Sequence, residues 1–320
     1  MSASVADRVI RLDEVSKFYG EVLGVNRVDL VLEPGITALV GPNGSGKTTL
    51  MNLLTGLLQP TRGRVSVLGL TPDQPEELFR LVGYATQYDG FPRGATGFRF
   101  LVGLLRLHGL GREEARARAE EVLALVGLTA GGAAHRRIAG YSKGMRQRIK
   151  LAAAMAHRPA VLILDEPLNG LDPMARAEMT DLFRRQADEG LHVVVSSHIL
   201  HEVDAVADRV VLLNAGYVVA EGQIEGVREE VDEHPLQVLV RCDRPARLAA
   251  RIFEADHVTE VILHADHGGL SVRTRDADGF YLLLNRVVVE EGLAVEAVAP
   301  ADADVGAIYQ YLIGGEGGAR

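Results

Sequence analysis

Hydrophobic and polar residues alternate in short runs over the first two thirds of the chain, a pattern of β-strands separated by helices. Alternating runs open the chain at residues 9–12 and 25–33. Continuous apolar runs follow at residues 36–40 and 160–164, and such runs are typical of strands buried in a parallel sheet. The alternation of strands and helices predicts an α/β fold for this part of the chain. The pattern predicts further strands at 63–69, 82–86, 192–196 and 209–213, and helices at 47–57, 174–189 and 199–206.

Residues 94–158 interrupt this order, because their apolar side chains recur at helical spacing. Leu101, Leu104 and Leu105 belong to one such face, and further helices are predicted at 111–126 and from about 142 to 157. We therefore expect an all-helical insertion within the α/β domain.

The last third of the chain predicts a second, smaller domain. Its strands and helices follow the order β-α-β-β-α-β of a ferredoxin-like α+β unit. The predicted elements cover residues 236–241, 245–253, 258–263, 270–274, 279–291 and 293–299, with a last helix at 304–312. A charged stretch precedes this unit, so we place the first domain at 1–224, a linker at 225–233 and the C-terminal domain at 234–320.

A glycine-rich segment lies between the apolar run 36–40 and a helical pattern, with the sequence Gly41-Pro42-Asn43-Gly44-Ser45-Gly46-Lys47-Thr48. Successive backbone N–H groups at a helix N-terminus bind phosphate oxygens, and glycines let the backbone approach them closely. Lys47 adds a positive charge, and the Thr48 hydroxyl is a suitable ligand for Mg²⁺. This phosphate loop predicts nucleotide binding; the alternative is a glycine-rich turn that only caps a helix.

Two carboxylates follow the second apolar run, in the sequence Asp165-Glu166-Pro167. In enzymes with a phosphate loop, an acid at the end of an adjacent strand completes the Mg²⁺ coordination, and Asp165 fits that role. The next carboxylate leaves the strand in another direction, so Glu166 can orient or deprotonate an attacking water. The alternative is a polar strand end that leads to a helix capped by Asp172.

A second helix start of the anion-binding type has the sequence Tyr141-Ser142-Lys143-Gly144-Met145. Ser142 is a natural N-cap, and a helix N-terminus rich in serine and glycine can bind an anion. It does not form one site with the phosphate loop, since each occupies its own helix terminus. An ordinary N-cap followed by a basic helix face is the alternative.

Composition and charge limit the location and the partners of the protein. The net charge is −9, with 47% apolar and 24% charged residues, as in globular proteins. No apolar run approaches the roughly 18 residues that span a bilayer, and charged residues near the N-terminus exclude a signal-peptide pattern. The single Cys242 cannot form an internal disulfide, which suits a reducing compartment, so we expect a cytoplasmic protein.

The excess negative charge lies entirely in the last third of the chain. Residues 1–224 carry 25 basic and 25 acidic residues, whereas residues 225–320 carry 9 basic and 18 acidic residues. This distribution argues against nucleic acid as a partner. His257, His264 and His267 with Asp266 are a weak candidate metal site, since scattered histidines are more often solvated.

Several motifs in fixed order resemble the ATP-binding subunit of ABC transporters over about residues 8–225. They are the phosphate loop, Gln87, Tyr141–Met145, Asp165-Glu166-Pro167, Asn169-Gly170-Leu171-Asp172 and His198. The Tyr-Ser-Lys-Gly-Met signature is similar to that of the family branch whose permeases are of the ABC-2 type and are often exporters. ATP-binding subunits of this branch commonly have a C-terminal extension. The commonest signature of the family is Leu-Ser-Gly-Gly-Gln, so Lys143 replaces a glycine and Met145 a glutamine.

The resemblance implies a P-loop ATPase domain with an antiparallel β subdomain, and it implies roles for individual residues. Glu166, His198 and Gln87 would be catalytic, with His198 contacting the γ-phosphate, and Tyr19 would stack on adenine. ATP would be held by Tyr19, Gly41, Pro42, Asn43, Gly44, Ser45, Gly46, Lys47, Thr48 and Thr49, and by Ser142, Lys143, Gly144 and Met145. Mg²⁺ would be held by Thr48, Gln87 and Asp165.

The same resemblance implies two partners. Two copies would sandwich two ATP molecules head to tail, each ATP lying between the phosphate loop of one copy and the Ser142 helix start of the other. Asp172 would lie at the dimer interface. A separately encoded membrane permease, docked near residues 88–99 and sensed by Gln87, would hold the protein at the inner face of the cell membrane. Because residues 88–99 are less typical of the family, the sequence does not predict the transported substrate.

Other nucleotide-binding proteins fit the sequence less well. A cassette ATPase of DNA repair or translation usually has tandem cassettes, long coiled coils or basic arms, which this sequence lacks. A GTPase would need an Asn-Lys-x-Asp motif, which is absent. A small-molecule kinase would leave Tyr141–Met145 and His198 without a role, and a purely structural module would not need Asp165 and Glu166.

Overall fold

The computed structural model describes residues 9–198, 203, 206–224, 236–274 and 276–300. The chain divides into two compact units, Met1–Gly222 and Gln223–Arg320. The predicted linker and the predicted helix at 304–312 lie outside the described residues, as does the helix at 199–206 apart from positions 203 and 206.

A six-stranded sheet forms the centre of the first unit, in the order β5-β6-β7-β3-β8-β9. Its strands are β3 (Gly35–Val40), β5 (Val82–Ala85), β6 (Val161–Leu164), β7 (His192–Ser197), β8 (Arg209–Asn214) and β9 (Tyr217–Gln223). Strands β3, β5, β6, β7 and β8 pair in parallel. The carboxyl ends of β3, β6 and β7 therefore lie at the same edge of the sheet, where ligands bind in parallel α/β folds.

A second, antiparallel sheet has the order β2-β1-β4 and consists of β1 (Ile10–Tyr19), β2 (Val22–Leu32) and β4 (Arg62–Val67). Strand β1 is longer than the predicted run 9–12, because it continues through Tyr19. Phe18 and Tyr19 pair with Leu23 and Val22 of β2, so the turn lies at residues 20–21. Apolar side chains of this sheet share one buried core with helix α1 (Lys47–Leu54).

Further α-helices in the described part of the first unit are α2 (Pro75–Leu81), α3 (Gly97–Leu107), α4 (Arg112–Leu125), α5 (Lys143–Met155) and α6 (Pro173–Asp188). Helices α3, α4 and α5 lie within the predicted insertion and pack through buried side chains such as Leu101, Leu105 and Val122. Between β5 and β6 the structure describes no strand, as predicted. Every helix in the described part of the chain is too short or too polar to span a lipid bilayer.

The second unit consists of β10 (Leu236–Cys242), α7 (Pro245–Ile252), β11 (Val258–Leu263), β12 (Gly269–Thr274), α8 (Ala277–Glu291) and β13 (Val295–Pro300). Its sheet is antiparallel, in the order β11-β12-β10-β13. Val240, Leu248 and Phe280 belong to its own buried core. The predicted fold class, an α/β P-loop domain followed by a ferredoxin-like unit, is confirmed. Nowhere in the described ranges do three His, Cys, Asp or Glu side chains lie close enough together to hold a metal ion.

Candidate functional site

The phosphate loop connects β3 to α1 and is shaped by its glycines. Gly46 is the N-cap of α1 and has a φ of 106°, a left-handed conformation that side chains disfavour. At Gly41 a Cβ atom would collide with the backbone carbonyl of Leu213 in β8. Gly44, with a φ of 81°, has open space around its Cα, while Pro42 and Asn43 form the partly exposed rim. The loop therefore presents backbone next to a helix N-terminus, as phosphate binding requires.

Lys47 folds back over this loop. Its buried Nζ donates hydrogen bonds to the carbonyl oxygens of Gly41 (2.6 Å) and Pro42 (3.1 Å). Burial lowers the pKa of Lys47, and the carboxylates of Glu166 and Asp165 oppose that effect. Among the residues that the structure describes, no carboxylate is hydrogen-bonded to this ammonium, and phosphate oxygens can replace the two carbonyls.

Asp165 lies directly after β6 and joins the strand ends to the phosphate loop. Its Oδ2 accepts a hydrogen bond from the Thr48 hydroxyl at 3.2 Å, and its Oδ1 accepts one from Ser196 at 2.7 Å. Ser196 Oγ in turn accepts a hydrogen bond from the backbone N–H of Glu166 at 2.9 Å. A hydroxyl and a carboxylate are the oxygen donors that Mg²⁺ prefers, so Thr48 and Asp165 fit that ion.

Glu166 and His198 form an acid–imidazole pair beside Asp165. The His198 Nδ1 lies 3.0 and 3.1 Å from the two carboxylate oxygens of Glu166. The Glu166 side chain is buried and that of His198 is half-buried. Glu166 also has a φ of 51°, a strained conformation for a non-glycine residue, which turns the chain sharply after Asp165. This arrangement suits a general base, Glu166, that has a group able to carry a proton, His198, beside it.

Ser196 is a site residue that sequence reasoning missed. It is fully enclosed in β7 and contacts both acids, through Asp165 Oδ1 and the Glu166 N–H. The available signal was a polar residue at the end of an otherwise apolar strand, but only the pairing of β6 with β7 shows what it contacts.

Tyr19 ends β1 beside the first turn of α1. Its hydroxyl lies 3.4 Å from Thr49 Oγ1, and Lys17 Nζ lies 5.7 Å from the centre of its ring. The residue is 44% exposed, so the ring is not part of the core and one face is available for stacking.

Gln87 follows β5, and its side chain is exposed. Its backbone carbonyl accepts a hydrogen bond from Lys150 at 3.0 Å. No hydrogen bond joins the Gln87 side chain to Thr48 or Asp165, although the structure describes all three residues. Of the three predicted Mg²⁺ ligands, the structure therefore brings together Thr48 and Asp165 but not Gln87.

The Ser142 helix start lies apart from the phosphate loop. Ser142 caps α5, its Oγ accepting a hydrogen bond from the Met145 N–H at 3.2 Å. Lys143 Nζ lies 3.4 Å from Asn169 Oδ1, and its chain covers Gly170. Gly144 and Met145 are half-buried, whereas Ser142 and Lys143 are exposed. Within the described residues no hydrogen bond links these four to the loop.

Asp172 acts as a helix cap, as the structural alternative for this residue predicted. Its Oδ1 accepts a hydrogen bond from the Ala175 N–H at 2.9 Å at the start of α6.

An open groove of about 440 Å³ lies beside Gln87, between the sheet and the helical insertion. Tyr88, 80% exposed, and Phe91 lie on its wall, and the ring of Phe91 packs edge-on against Phe100 at 5.5 Å between ring centres. His108 and His157 stack at 4.3 Å between their rings, also within the groove lining. The groove lining is thus rich in aromatic side chains, and Tyr88 and Phe79 among them are exposed.

Comparisons of sequence and of structure both find that the chain is similar to ATP-binding proteins. The family model described as ABC transporter matches residues 25–169. The daunorubicin resistance ATP-binding protein DrrA3 of Streptomyces coeruleorubidus is 34% identical over 97% of both chains. The bacitracin transport ATP-binding protein BcrA of Enterococcus faecalis is 30% identical over 98% of this chain and 99% of its own. The ATP-binding cassette MJ0796, solved as a dimer in a post-hydrolysis state bound to ADP and Pi, is 26% identical with a TM-score of 0.62, covering 67% of this chain and 98% of that one.

Proposed function

This chain belongs to the ABC transporter family as an ATP-hydrolysing subunit, which confirms the resemblance of its motifs, and from that premise we propose how its residues act. The observation that carries the proposal is the meeting of three groups at one sheet edge. These are Lys47 in the phosphate loop, the Thr48–Asp165 pair and the Glu166–His198 pair.

In the proposed complex the phosphate loop, from Gly41 to Thr49, binds the β- and γ-phosphates of ATP, and Lys47 exchanges its two carbonyl partners for phosphate oxygens. Tyr19 stacks on the adenine. Thr48 and Asp165 hold Mg²⁺, which when bound neutralises charge on the phosphates.

Hydrolysis in this proposal depends on the acid–imidazole pair. Glu166 orients the attacking water and takes its proton, because its carboxylate is buried next to the Mg²⁺ site. His198 donates to the γ-phosphate while its Nδ1 stays near Glu166. Gln87 completes the site when its exposed side chain turns toward Thr48 and Asp165.

We propose that ATP closes a head-to-tail dimer, with the Ser142 helix start of one copy covering the γ-phosphate of the other. Residues Ser142 to Met145 have no hydrogen bond to their own phosphate loop, and Ser142 and Lys143 are exposed. The dimeric MJ0796 structure supports this arrangement. Hydrolysis and phosphate release then open the dimer.

The groove beside Gln87 is the proposed docking surface for a cytoplasmic segment of a separate membrane permease. It presents exposed aromatic side chains next to the loop that carries Gln87. Relatives named for daunorubicin resistance and bacitracin transport favour export as the direction. Docking would hold the chain at the inner face of the cell membrane, and the substrate is left open.

Substitution Glu166→Gln tests the ATPase site. The amide keeps the size of the side chain but cannot accept the proton, so ATP turnover should fall at least about a hundredfold while ATP binding persists. We expect light scattering to show a stable dimer for the variant with ATP and Mg²⁺, and a monomer without ATP. Wild-type turnover in this variant would exclude Glu166 as the base.

Substitution Tyr88→Arg tests the docking groove. A charged side chain at this exposed aromatic position should remove the chain from membranes in cells that contain the permease. Leu107→Arg is the matched control, since Leu107 is exposed on α3 of the same insertion but does not line the groove. Equal membrane recovery of both variants would contradict the proposed surface.

A further inference from the structure

Lys150 makes contacts that the proposed catalytic roles do not explain. It lies on α5, two turns after Ser142, and its side chain is only 10% exposed. Its Nζ donates hydrogen bonds to the carbonyl oxygens of Thr86 (3.1 Å) and Gln87 (3.0 Å). Lys150 is one of four lysines in a chain with thirty arginines. The ammonium of this largely buried side chain therefore holds the backbone of residues 86–89, the Gln87 loop.

Asp89 provides the opposite charge for this ammonium. One carboxylate oxygen lies 3.4 Å from Lys150 Nζ, and the other lies 3.0 Å from Arg146 Nε. Arg146 also donates a hydrogen bond to the carbonyl of Tyr141 at 2.8 Å. The Gln87 loop is thus attached at two points to the helix that begins with Ser142.

Lys150 contributes more than Arg146 to holding the Gln87 loop in place. Arg146 and Asp89 are partly exposed, and exposed ion pairs contribute little to stability because water screens them. Burial lowers the pKa of Lys150, and the Asp89 carboxylate opposes that effect. A buried cation is costly once its partners leave, so the ammonium favours one position of the Gln87 loop.

We propose that Lys150 is a positioning residue for Gln87, and that together with Asp89 it makes the Gln87 loop and the Ser142 helix start move as one body. The inference rests on the proposed function, because it needs Gln87 to act in hydrolysis. Its proposed role is indirect: Lys150 fixes the backbone from which the Gln87 side chain reaches the site.

Substitution Lys150→Met removes the charge and the donors but keeps most of the apolar chain. We expect kcat to fall about tenfold, because a misplaced catalytic side chain costs one to two orders of magnitude. The Kd for ATP should stay within about twofold, since the phosphate loop is not altered. Lys150→Arg, which retains a buried donor cation, should recover part of kcat.

Arg118→Met is a matched control within the same insertion. Arg118 is 13% exposed, donates to the carbonyls of Met155 and Ala156 and pairs with Glu121. It therefore resembles Lys150 in burial and bonding but does not contact the Gln87 loop. Arg118→Met should lower the melting temperature as much as Lys150→Met does, with kcat per folded molecule unchanged. An equal loss of kcat in both variants would show that Lys150 acts only through stability.

The double variant Gln87→Ala/Lys150→Met separates positioning from any other role. If Lys150 acts through Gln87, the double variant should hydrolyse ATP no more slowly than Gln87→Ala alone. Multiplying losses, or a wild-type kcat for Lys150→Met, would overturn the inference. Wild-type turnover in Glu166→Gln would instead overturn the proposed function, so the two failures are distinguishable.

Discussion

Lys47 shows how one residue can be prepared for a ligand. Its ammonium is buried, its pKa is lowered by that burial, and its hydrogen bonds go to two backbone carbonyls. Two carboxylates, Asp165 and Glu166, act on it only at longer range. A triphosphate brings the negative charge that this buried cation lacks, so ATP should gain affinity from Lys47 in particular.

Substitution Lys47→Ala should raise the Kd for ATP about tenfold to a hundredfold, because a hydrogen bond to a charged group contributes about 1.5–3 kcal/mol. Titration with a fluorescent ATP analogue measures this change. Arg64→Ala removes one positive charge from an exposed position of β4 and serves as the control. An unchanged Kd in Lys47→Ala, with the fold intact, would exclude Lys47 as a phosphate ligand.

The site residues that could be predicted from the sequence are those that belong to local motifs. Lys47, Thr48, Asp165 and Glu166 could be assigned because strands that run in parallel bring their carboxyl ends to one edge. Ser196 could not be assigned in this way, since a strand serine gains its role only from the register of β6 against β7. The sequence also could not predict how far the Gln87 side chain lies from Thr48, because that distance depends on the conformation of the Gln87 loop.

Two helix N-termini in the helical insertion, those of α3 and α5, share one capping geometry but not one role. Thr96 caps α3 by accepting a hydrogen bond from the Arg99 N–H, and Ser142 caps α5 by accepting one from the Met145 N–H. Both are hydroxyl caps at 3.2 Å in the helical insertion. Only the α5 cap belongs to the proposed dimer contact.

Replacing either cap with alanine should destabilise the first unit by about 1 kcal/mol, as measured by urea denaturation. Ser142→Ala should also weaken ATP-dependent dimerisation when placed in the Glu166→Gln background, whereas Thr96→Ala should not. Sedimentation at several protein concentrations gives the dimer dissociation constants. Equal dimerisation of the two variants would mean that Ser142 is only a helix cap.

The bounds of elements with a strong sequence pattern were predicted closely. The bounds of elements whose length depends on pairing with other strands were not. Residues 258–263 were predicted with the same bounds as β11, because turns flank a segment in which four of six residues are apolar. Helix α2 was missed, since Leu78 is its only buried side chain and no periodicity marks it. Strand β1 was predicted too short because its length depends on irregular pairing with β2 and β4.

The whole molecule combines two units with separate hydrophobic cores. The first unit carries the sheet edge with the phosphate loop and both acids, while the excess negative charge of the chain belongs to residues 225–320. Among the described residues of the first unit, no hydrogen bond joins the phosphate loop to the Ser142 helix start. A complete ATP site in our proposal therefore requires two copies.

Mixing two inactive variants tests this claim most directly. Lys47→Ala removes the ammonium from the phosphate loop and so weakens its hold on the phosphates, and Ser142→Arg blocks the capping helix start. In a head-to-tail dimer, a mixed pair of these single variants keeps one intact site, formed by the loop of one copy and the helix start of the other.

We predict that an equimolar mixture of Lys47→Ala and Ser142→Arg hydrolyses ATP faster than the two variants do separately. The double variant Lys47→Ala/Ser142→Arg, mixed with wild type, should form mixed dimers with no intact site and lower the rate per wild-type chain. If the single variants stay inactive when mixed, while the double variant leaves wild-type activity unchanged, each chain would hydrolyse ATP by itself and the two-copy site would be contradicted.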